Sequence, residues 1–307
     1  MPTINSPNIS HSAMLVKLTV TQWTAKKLER GLSREIATNH GNQEQLTKVT
    51  KVLGDHPLLA KFSNIANAAR ATHALITLPW EDGGVRLLNS QFFFKYDQAM
   101  SKHIMDAQEC TQQIEQVYES EIIQPMEHKL NGLFNRNDYP NDIASRFGIR
   151  YNVGSMPNSA DFRVNKGLTQ AQIDKLKQDI EDKANNDLND AYKDIYNRIN
   201  TQVSHLKNKL ENYEVVLEQV TNEYGKTVTK EVTHSAFRDS LVQNVKELCT
   251  ILPMLNIADD PVITDIGKTM QQELCAFSAE TLRINDSARE ATVESAASLL
   301  DRVKAYI

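Results

Sequence analysis

The feature that most constrains the fold is a long stretch in which apolar residues return at a helical period. Between Ile173 and Tyr213, forty residues contain eleven steps from one apolar position to the next, a mean spacing near 3.6 residues. This is the period of a straight α-helix packed along one side, because a strict heptad repeat would favour a left-handed supercoil. Thr169 and Gln172 form a capping box that marks the start of the helix. With 11 glycines and 9 prolines among 307 residues, the chain has few points at which such elements must stop.

A second long helix is predicted from Gln91 to Leu130. Its apolar face comprises Phe93, Tyr96, Met100, Ile104, Ala107, Ile114, Tyr118, Ile122 and Met126. Pro125 predicts a kink near its end. Because consecutive elements tend to be neighbours, we expect the two long helices to form an antiparallel hairpin. The alternative is that they lie apart in a larger bundle.

The sequence also predicts a small β element. Residues 15–22 alternate between apolar and polar side chains, which is typical of a half-buried strand. The segment 131–168 is rich in Asn, Asp, Pro and Gly and contains two further strand candidates, residues 149–153 and 161–164. We expect these three strands to form one sheet. The predicted fold is therefore mainly α, an elongated helical bundle with two long antiparallel helices and a small β element.

The chain divides into segments by composition. Residues 1–13 are expected to be a disordered leader, and residues 14–89 to hold the N-terminal strand and helices. The hairpin takes residues 90–213, with the insert at 131–168. Residues 214–307 form a C-terminal helical region, entered through a polar connector at 221–235. Its last helix has the heptad spacing of a coiled coil, and all segments are expected to form one cooperative unit.

Composition argues against several classes of function. No run approaches the roughly 18 apolar residues of a transmembrane helix, and the N-terminus lacks the pattern of a secretory signal, so no membrane role is expected. The three cysteines have no paired spacing, which suits a reducing cytoplasm. The sequence contains no nucleotide-binding glycine loop, no nucleophile elbow and no metal-ligand motif. We therefore expect no cofactor and no metal site, and an interaction protein rather than an enzyme.

The stretch between His73 and Leu88 is the most irregular part of the chain. We interpret it as a structural joint, with the glycine pair at residues 83 and 84 forming a turn that needs positive φ. The same stretch is the candidate binding loop. The residues assigned to that loop are Leu78, Pro79, Trp80, Glu81, Asp82, Gly83, Gly84 and Arg86. Trp80 is expected to be buried, with a partner anchor as the alternative.

Other residues carry competing hypotheses. His73 is interpreted as a core residue, but a hydrolase site built from His73, Glu81 and Asp82 is a further possibility. The aromatic run at residues 92–94 is expected to enter the core. The first 80 residues carry a net charge of +5, although the whole chain is at −5. This favours a basic surface that could bind nucleic acid, an alternative to an ordinary solvated face. Its residues are Lys17, Lys26, Lys27, Arg30 and Arg34.

Several separated motifs resemble one family. They are "LVKLTVTQWTAKKL", "LPWEDGGVRLL", "GLFNRNDYP", "ADFRV" and "FRDSLVQNVKEL", spread over roughly residues 14 to 255. In this order they resemble the family called domain of unknown function 3150, which is encoded by phages, plasmids and other bacterial mobile elements. The resemblance implies a gene neighbourhood with an AAA+ ATPase of the MoxR type and a von Willebrand A-type protein. It implies an adaptor in the bacterial cytoplasm and brings no catalytic residues. Apart from the resemblance, a second copy of the chain in a homo-oligomer is an alternative partner.

Overall fold

The structure, a computed structural model, describes residues 11–42, 46–81, 83–157, 167–221 and 227–307. These residues form two compact units. The first unit contains the described residues up to Val16, together with Leu75–Phe93 and Val153–Ile307; the second contains Lys17–Ala74 and Phe94–Asn152. Most of the predicted leader and all of the strand predicted at 161–164 lie outside the described residues.

The regular elements alternate between strands and helices along much of the chain. The strands are β1 (Ala13–Thr21), β2 (Lys26–Leu28), β3 (Thr50–Val52), β4 (Leu78–Glu81), β5 (Val85–Asn89), β6 (Gly148–Ser155), β7 (Glu214–Thr221) and β8 (Thr227–His234). The helices are α1 (Arg30–Asn39), α2 (Pro57–Leu75), α3 (Phe93–Val117), α4 (Gln124–Leu130), α5 (Gln170–Glu211), α6 (Ser240–Leu255), α7 (Pro261–Thr269), α8 (Ala279–Ile284) and α9 (Asp286–Lys304). Two π-helical segments, Tyr118–Ile123 and Met270–Leu274, follow α3 and α7.

The strands form three sheets in the part of the chain that the structure describes. The largest has the order β4-β5-β1-β6, and the other two are the antiparallel ribbons β2-β3 and β7-β8. The predicted three-stranded sheet is therefore wrong, because β4 and β5 extend the sheet that contains β1 and β6. The polar connector predicted at 221–235 is also wrong, since β8 lies within it. The segment "TVTKEVT" in β8 is rich in Thr, Lys and Glu, and this polarity resembles that of a loop.

In the second unit, α2 and α3 pack side by side and run antiparallel. The Cys110 thiol donates to the Leu58 carbonyl at 3.6 Å, near the start of α2. At the other end of the pair, His73 and Tyr96 form a hydrogen bond of 2.9 Å. The Phe62 side chain, fully buried between these points, packs edge-on against the Phe147 ring at 4.7 Å.

In the first unit, the 42-residue α5 packs mainly on α9, β4 and α6. Its capping box, Thr169 with Gln172, forms as predicted. The Arg289 guanidinium near the start of α9 lies 5.1 Å from the Tyr213 ring. Beyond the other end of α9, Tyr306 stacks on Tyr196 with ring centroids 4.7 Å apart. The two helices are therefore antiparallel, and the heptad-like helix has its partner in the same unit.

The predicted bundle with a hairpin of two long helices is wrong. The helix predicted for Gln91–Leu130 is divided among α3, a π-helical segment and α4, and α3 packs on α2 in the second unit. Helix α5 belongs to the first unit and packs on α9. The expectation that the two consecutive long helices are neighbours was wrong because each has another partner. The apolar stripe of α3 is covered by α2, and that of α5 is covered by α9. None of the described helices combines the length and apolarity that a membrane span requires.

Candidate interaction site

The predicted binding loop is a β-hairpin formed by β4 and β5. Pro79 pairs with Arg86, and the register shifts between Pro79 and Glu81. Gly83 and Gly84 form the turn with φ of 88° and 81°, a conformation that residues other than glycine rarely adopt. The turn prediction is confirmed, and the two strands around it were missed. Asp82 lies outside the described residues.

One face of this hairpin is buried against the rest of the first unit. Leu78 has no exposed surface, and Trp80 is only 5% exposed. Strand β4 packs on α5. The packing interpretation of Trp80 is confirmed, and this tryptophan is not available as an anchor for a partner.

Arg86 holds the base of the hairpin. Its Nε donates to the Thr77 hydroxyl at 2.6 Å, and a terminal nitrogen donates to the Thr77 carbonyl at 2.9 Å. Arg198 on α5 donates to the same carbonyl at 2.9 Å and forms an ion pair with Asp194 at 2.7 Å. Burial, followed by repulsion from Arg198, lowers the pKa of Arg86. Arg86 is therefore a structural clamp where the chain enters β4, and it does not extend beside the glycines as a phosphate ligand would.

The exposed part of the hairpin is small. Glu81 forms an ion pair with Lys183 of α5 at 2.9 Å, and Gly83 and Gly84 are exposed at the tip. Most of the eight residues assigned to the loop are buried or are bonded to other residues of the first unit. The loop is a joint between α2 and α3.

His73 is part of the core of the second unit. Its side chain is buried, and its Nδ1 forms the hydrogen bond to the Tyr96 hydroxyl. Burial raises the pKa of Tyr96, which keeps this hydroxyl neutral and able to donate. The core interpretation of His73 is confirmed. Of the three residues in the hydrolase hypothesis, His73 is bonded to Tyr96, Glu81 is engaged by Lys183, and Asp82 lies outside the described residues. Among the described residues, no group of three or more His, Cys, Asp or Glu side chains could hold a metal ion.

The five candidate nucleic-acid residues all lie in the second unit, and all five are exposed. Lys27 also forms an ion pair with Asp138 at 2.5 Å and so contributes to the fold. Arg30 and Arg34 are one turn apart on α1 and therefore lie on the same face of that helix. Because these side chains are exposed, the basic surface stays a candidate site for binding nucleic acid.

The sequence did not predict the outward face of α3. Phe94 was expected to enter the core with its neighbours, but its side chain is 75% exposed, and Met105 is 66% exposed. The helical stripe that includes Tyr96 carried the missed signal. Phe94 is two residues, or about 200°, away from Tyr96 and so points outward.

No family model matches the chain, and no curated protein or solved structure matches it. The resemblance to domain of unknown function 3150 therefore stays a prediction from the sequence.

Proposed function

We propose that the protein is a non-enzymatic adaptor of a phage or other mobile genetic element, and that it binds a protein partner through the outward face of α3. The exposed apolar pair Phe94 and Met105 is the observation that carries this proposal. Eleven residues separate them, which places their side chains about 20° apart around the helix.

The opposite face of α3 is already occupied within the second unit. Its buried residues are Tyr96, Met100, Ala107, Cys110 and Ile114. Single exposed apolar residues are common on protein surfaces. An exposed phenylalanine aligned with an exposed methionine is a stronger indication, because aromatic and methionine side chains are enriched where proteins bind one another. The flexible thioether of methionine also adapts to an irregular partner surface.

The resemblance supplies the kind of partner. It implies an AAA+ ATPase of the MoxR type, together with a von Willebrand A-type protein, in the bacterial cytoplasm. In this proposal the ATPase is the partner that the α3 face binds. A second copy of the chain is the other partner compatible with an exposed apolar pair.

A pull-down with matched variants tests the proposal. Tagged wild-type protein, the double variant Phe94→Ser with Met105→Ser, and the control Ile284→Ser are expressed in cells that carry the element. Ile284 is a matched control because it is 80% exposed but lies in the first unit. After nuclease treatment, we expect the co-encoded ATPase with the wild type and the control.

The double variant should recover the ATPase at least about tenfold less well, since losing two apolar anchors costs more than about 1.4 kcal/mol of binding. Matching circular dichroism spectra would show that all variants are folded. Undiminished recovery with the double variant would contradict the proposal. If the double variant changes the oligomeric state of the protein and leaves ATPase recovery unchanged, the partner on the α3 face is a second copy of the chain.

A nucleic-acid accessory function is the second candidate, and the exposed Lys26, Arg30 and Arg34 favour it. Binding through these side chains would release counterions from phosphates, so the logarithm of affinity should fall with the logarithm of salt by roughly 0.9 per contact. We expect Arg30→Ala with Arg34→Ala to reduce this slope by about two such contacts. Lys175→Ala with Lys268→Ala, two exposed lysines of the first unit, is the control. Equal slopes for both double variants would rule out this surface.

A further inference from the structure

Two of the three cysteines meet in the first unit although 26 positions separate them. The Cys249 and Cys275 sulfur atoms are 4.0 Å apart, within hydrogen-bonding distance for thiols. Both side chains are half-buried. Cys110 is fully buried in the second unit and donates to a backbone carbonyl. The chain therefore contains one accessible thiol pair and one protected thiol.

The surroundings make the pair reachable. Cys249 lines a cavity of about 250 Å³ between α6 and α7, together with Leu252, Asn256, Gly267 and Lys268. Cys275 directly follows the π-helical segment Met270–Leu274, and the residues after it are bends rather than helix. A cysteine at the end of a regular element can move toward a partner more easily than one within a helix. Irregular helical turns of this kind also occur often at functional sites.

The pair is electrostatically unequal. The hydrogen bond with Cys249 and the positive charge of Lys246 lower the pKa of Cys275, and they outweigh the opposing effect of burial. The same hydrogen bond, with burial, raises the pKa of Cys249. Cys275 is therefore the thiol that becomes a thiolate first, which is the nucleophilic form.

We propose that Cys249 and Cys275 form a reversible dithiol that is oxidised to a disulfide by low-molecular-weight disulfides such as glutathione disulfide. In the first step the Cys275 thiolate attacks one sulfur of glutathione disulfide, which forms a mixed disulfide and releases one glutathione thiolate. Cys249 then gives its proton to solvent and attacks the Cys275 sulfur, which releases the second glutathione. Two protein thiols are oxidised and one small disulfide is reduced to two thiols.

The geometry suits this second step. The two sulfur atoms must approach by about 2 Å to reach the length of a disulfide bond. Cys275 lies in the bend that follows the π-helical segment, outside regular helix. The resulting bond would link α6 to the segment that follows α7, beside the cavity. A reversible disulfide is also the kind that occurs in a reducing compartment, where permanent ones are rare.

The full-length protein is incubated with glutathione disulfide, quenched with acid, alkylated after denaturation and digested without reduction. We expect a peptide in which Cys249 is linked to Cys275, loss of two alkylatable thiols, and full recovery of both with dithiothreitol. Cys110 is the internal control and should be alkylated to the same extent before and after oxidation. The Cys249→Ser variant should stop at a stable mixed disulfide on Cys275, because it lacks the resolving thiol.

Two outcomes would overturn the proposal. One is accumulation of mixed disulfides in the wild-type protein without the link between Cys249 and Cys275. The other is reaction of Cys110 at the same rate as the pair, which would mean that oxidation follows unfolding. Neither outcome depends on the proposed adaptor function.

Discussion

Lys51 and Asp138 form the most enclosed ion pair among the described residues of the second unit. Their side chains are 5% and 2% exposed, and the Lys51 ammonium lies 2.5 Å from one carboxylate oxygen. Lys51 also contacts Glu29 at 2.8 Å and donates to the Leu133 carbonyl at 2.8 Å. Lys27 binds the other oxygen of Asp138 at 2.5 Å. Because both charges have several partners, removing one member leaves the others poorly compensated.

We expect Asp138→Asn to lower the free energy of unfolding by roughly 2 kcal/mol at neutral pH, between the values typical of exposed and fully buried pairs. Burial alone would raise the pKa of Asp138, but hydrogen bonds from Lys27 and Lys51 outweigh it and lower the pKa. A carboxyl with a lowered pKa stabilises the fold above its unfolded-state pKa of about 3.9, and this stabilisation is lost as the pH falls through the folded-state value. The difference between variant and wild type should therefore shrink below about pH 4.

Urea unfolding at pH 7 and at pH 3 measures this difference. Asp301→Asn is the control, because Asp301 is exposed and pairs with a neighbouring lysine of the same helix. It should leave the unfolding midpoint unchanged at neutral pH. An equal loss of stability for Asp138→Asn at both pH values would show that the carboxylate charge is not the cause.

Some residue environments could be predicted from the sequence, and others could not. His73 and Trp80 are buried as expected, because a helical stripe and a proline boundary define which side of the chain faces the core. Phe94 was predicted to be buried because its neighbours are aromatic. Its position around the helix was not considered, and its side chain is exposed. Cys249 and Cys275 meet only because α6 packs beside the π-helical segment, a contact that no sequence spacing encodes.

At the scale of elements, the π-helical segment Tyr118–Ile123 explains a close contact with the loop before α2. The wider turn buries Tyr118, Ile122 and Ile123 together. Gly54 in that loop lies so near that an added Cβ would be 3.0 Å from the Ile122 Cγ2 and 3.2 Å from the Leu59 Cδ1. A side chain at residue 54 would therefore require Ile122 or Leu59 to shift by a few tenths of an ångström.

We expect Gly54→Ala to destabilise the protein by about 1–3 kcal/mol, because the buried isoleucine has little room to move. Gly31→Ala in α1 is the matched control, since a Cβ added at residue 31 would meet no atom within 4 Å. In a helix this second change should stabilise by up to about 1 kcal/mol. Thermal unfolding followed by circular dichroism compares the two variants. If Gly54→Ala melts at or above the wild-type temperature, the contact is looser than the distances indicate.

Helices were predicted better than strands, for a physical reason. The 3.6-residue pattern of α5 repeats many times, so its start and extent could be predicted from the sequence. Strands β2 and β3 have only three residues each, and β4 contains Pro79, which weakens the pattern of a strand. The partner of each helix could not be predicted, because apolar stripes specify burial without specifying which element covers them. That limit produced the incorrect hairpin.

At the scale of the whole molecule, the division into two units passes through regular elements. The boundary at Val16 lies within β1, and the boundary at Asn152 lies within β6. Each of these strands therefore belongs partly to both units. From this continuity we expect the two units to unfold together, as the sequence predicts.

The two tryptophans allow this to be measured. Trp23 lies in the second unit with its ring 5.9 Å from that of Tyr118, and Trp80 is buried in the first unit. In urea, Trp23→Phe and Trp80→Phe variants each leave one fluorescent reporter, and we expect their transitions to coincide. Adding Leu299→Ala, which removes a fully buried side chain of α9, should cost about 2–5 kcal/mol and shift both reporters equally. A shift confined to the Trp80 reporter would show that the first unit unfolds independently, because the second unit would then keep its stability without it.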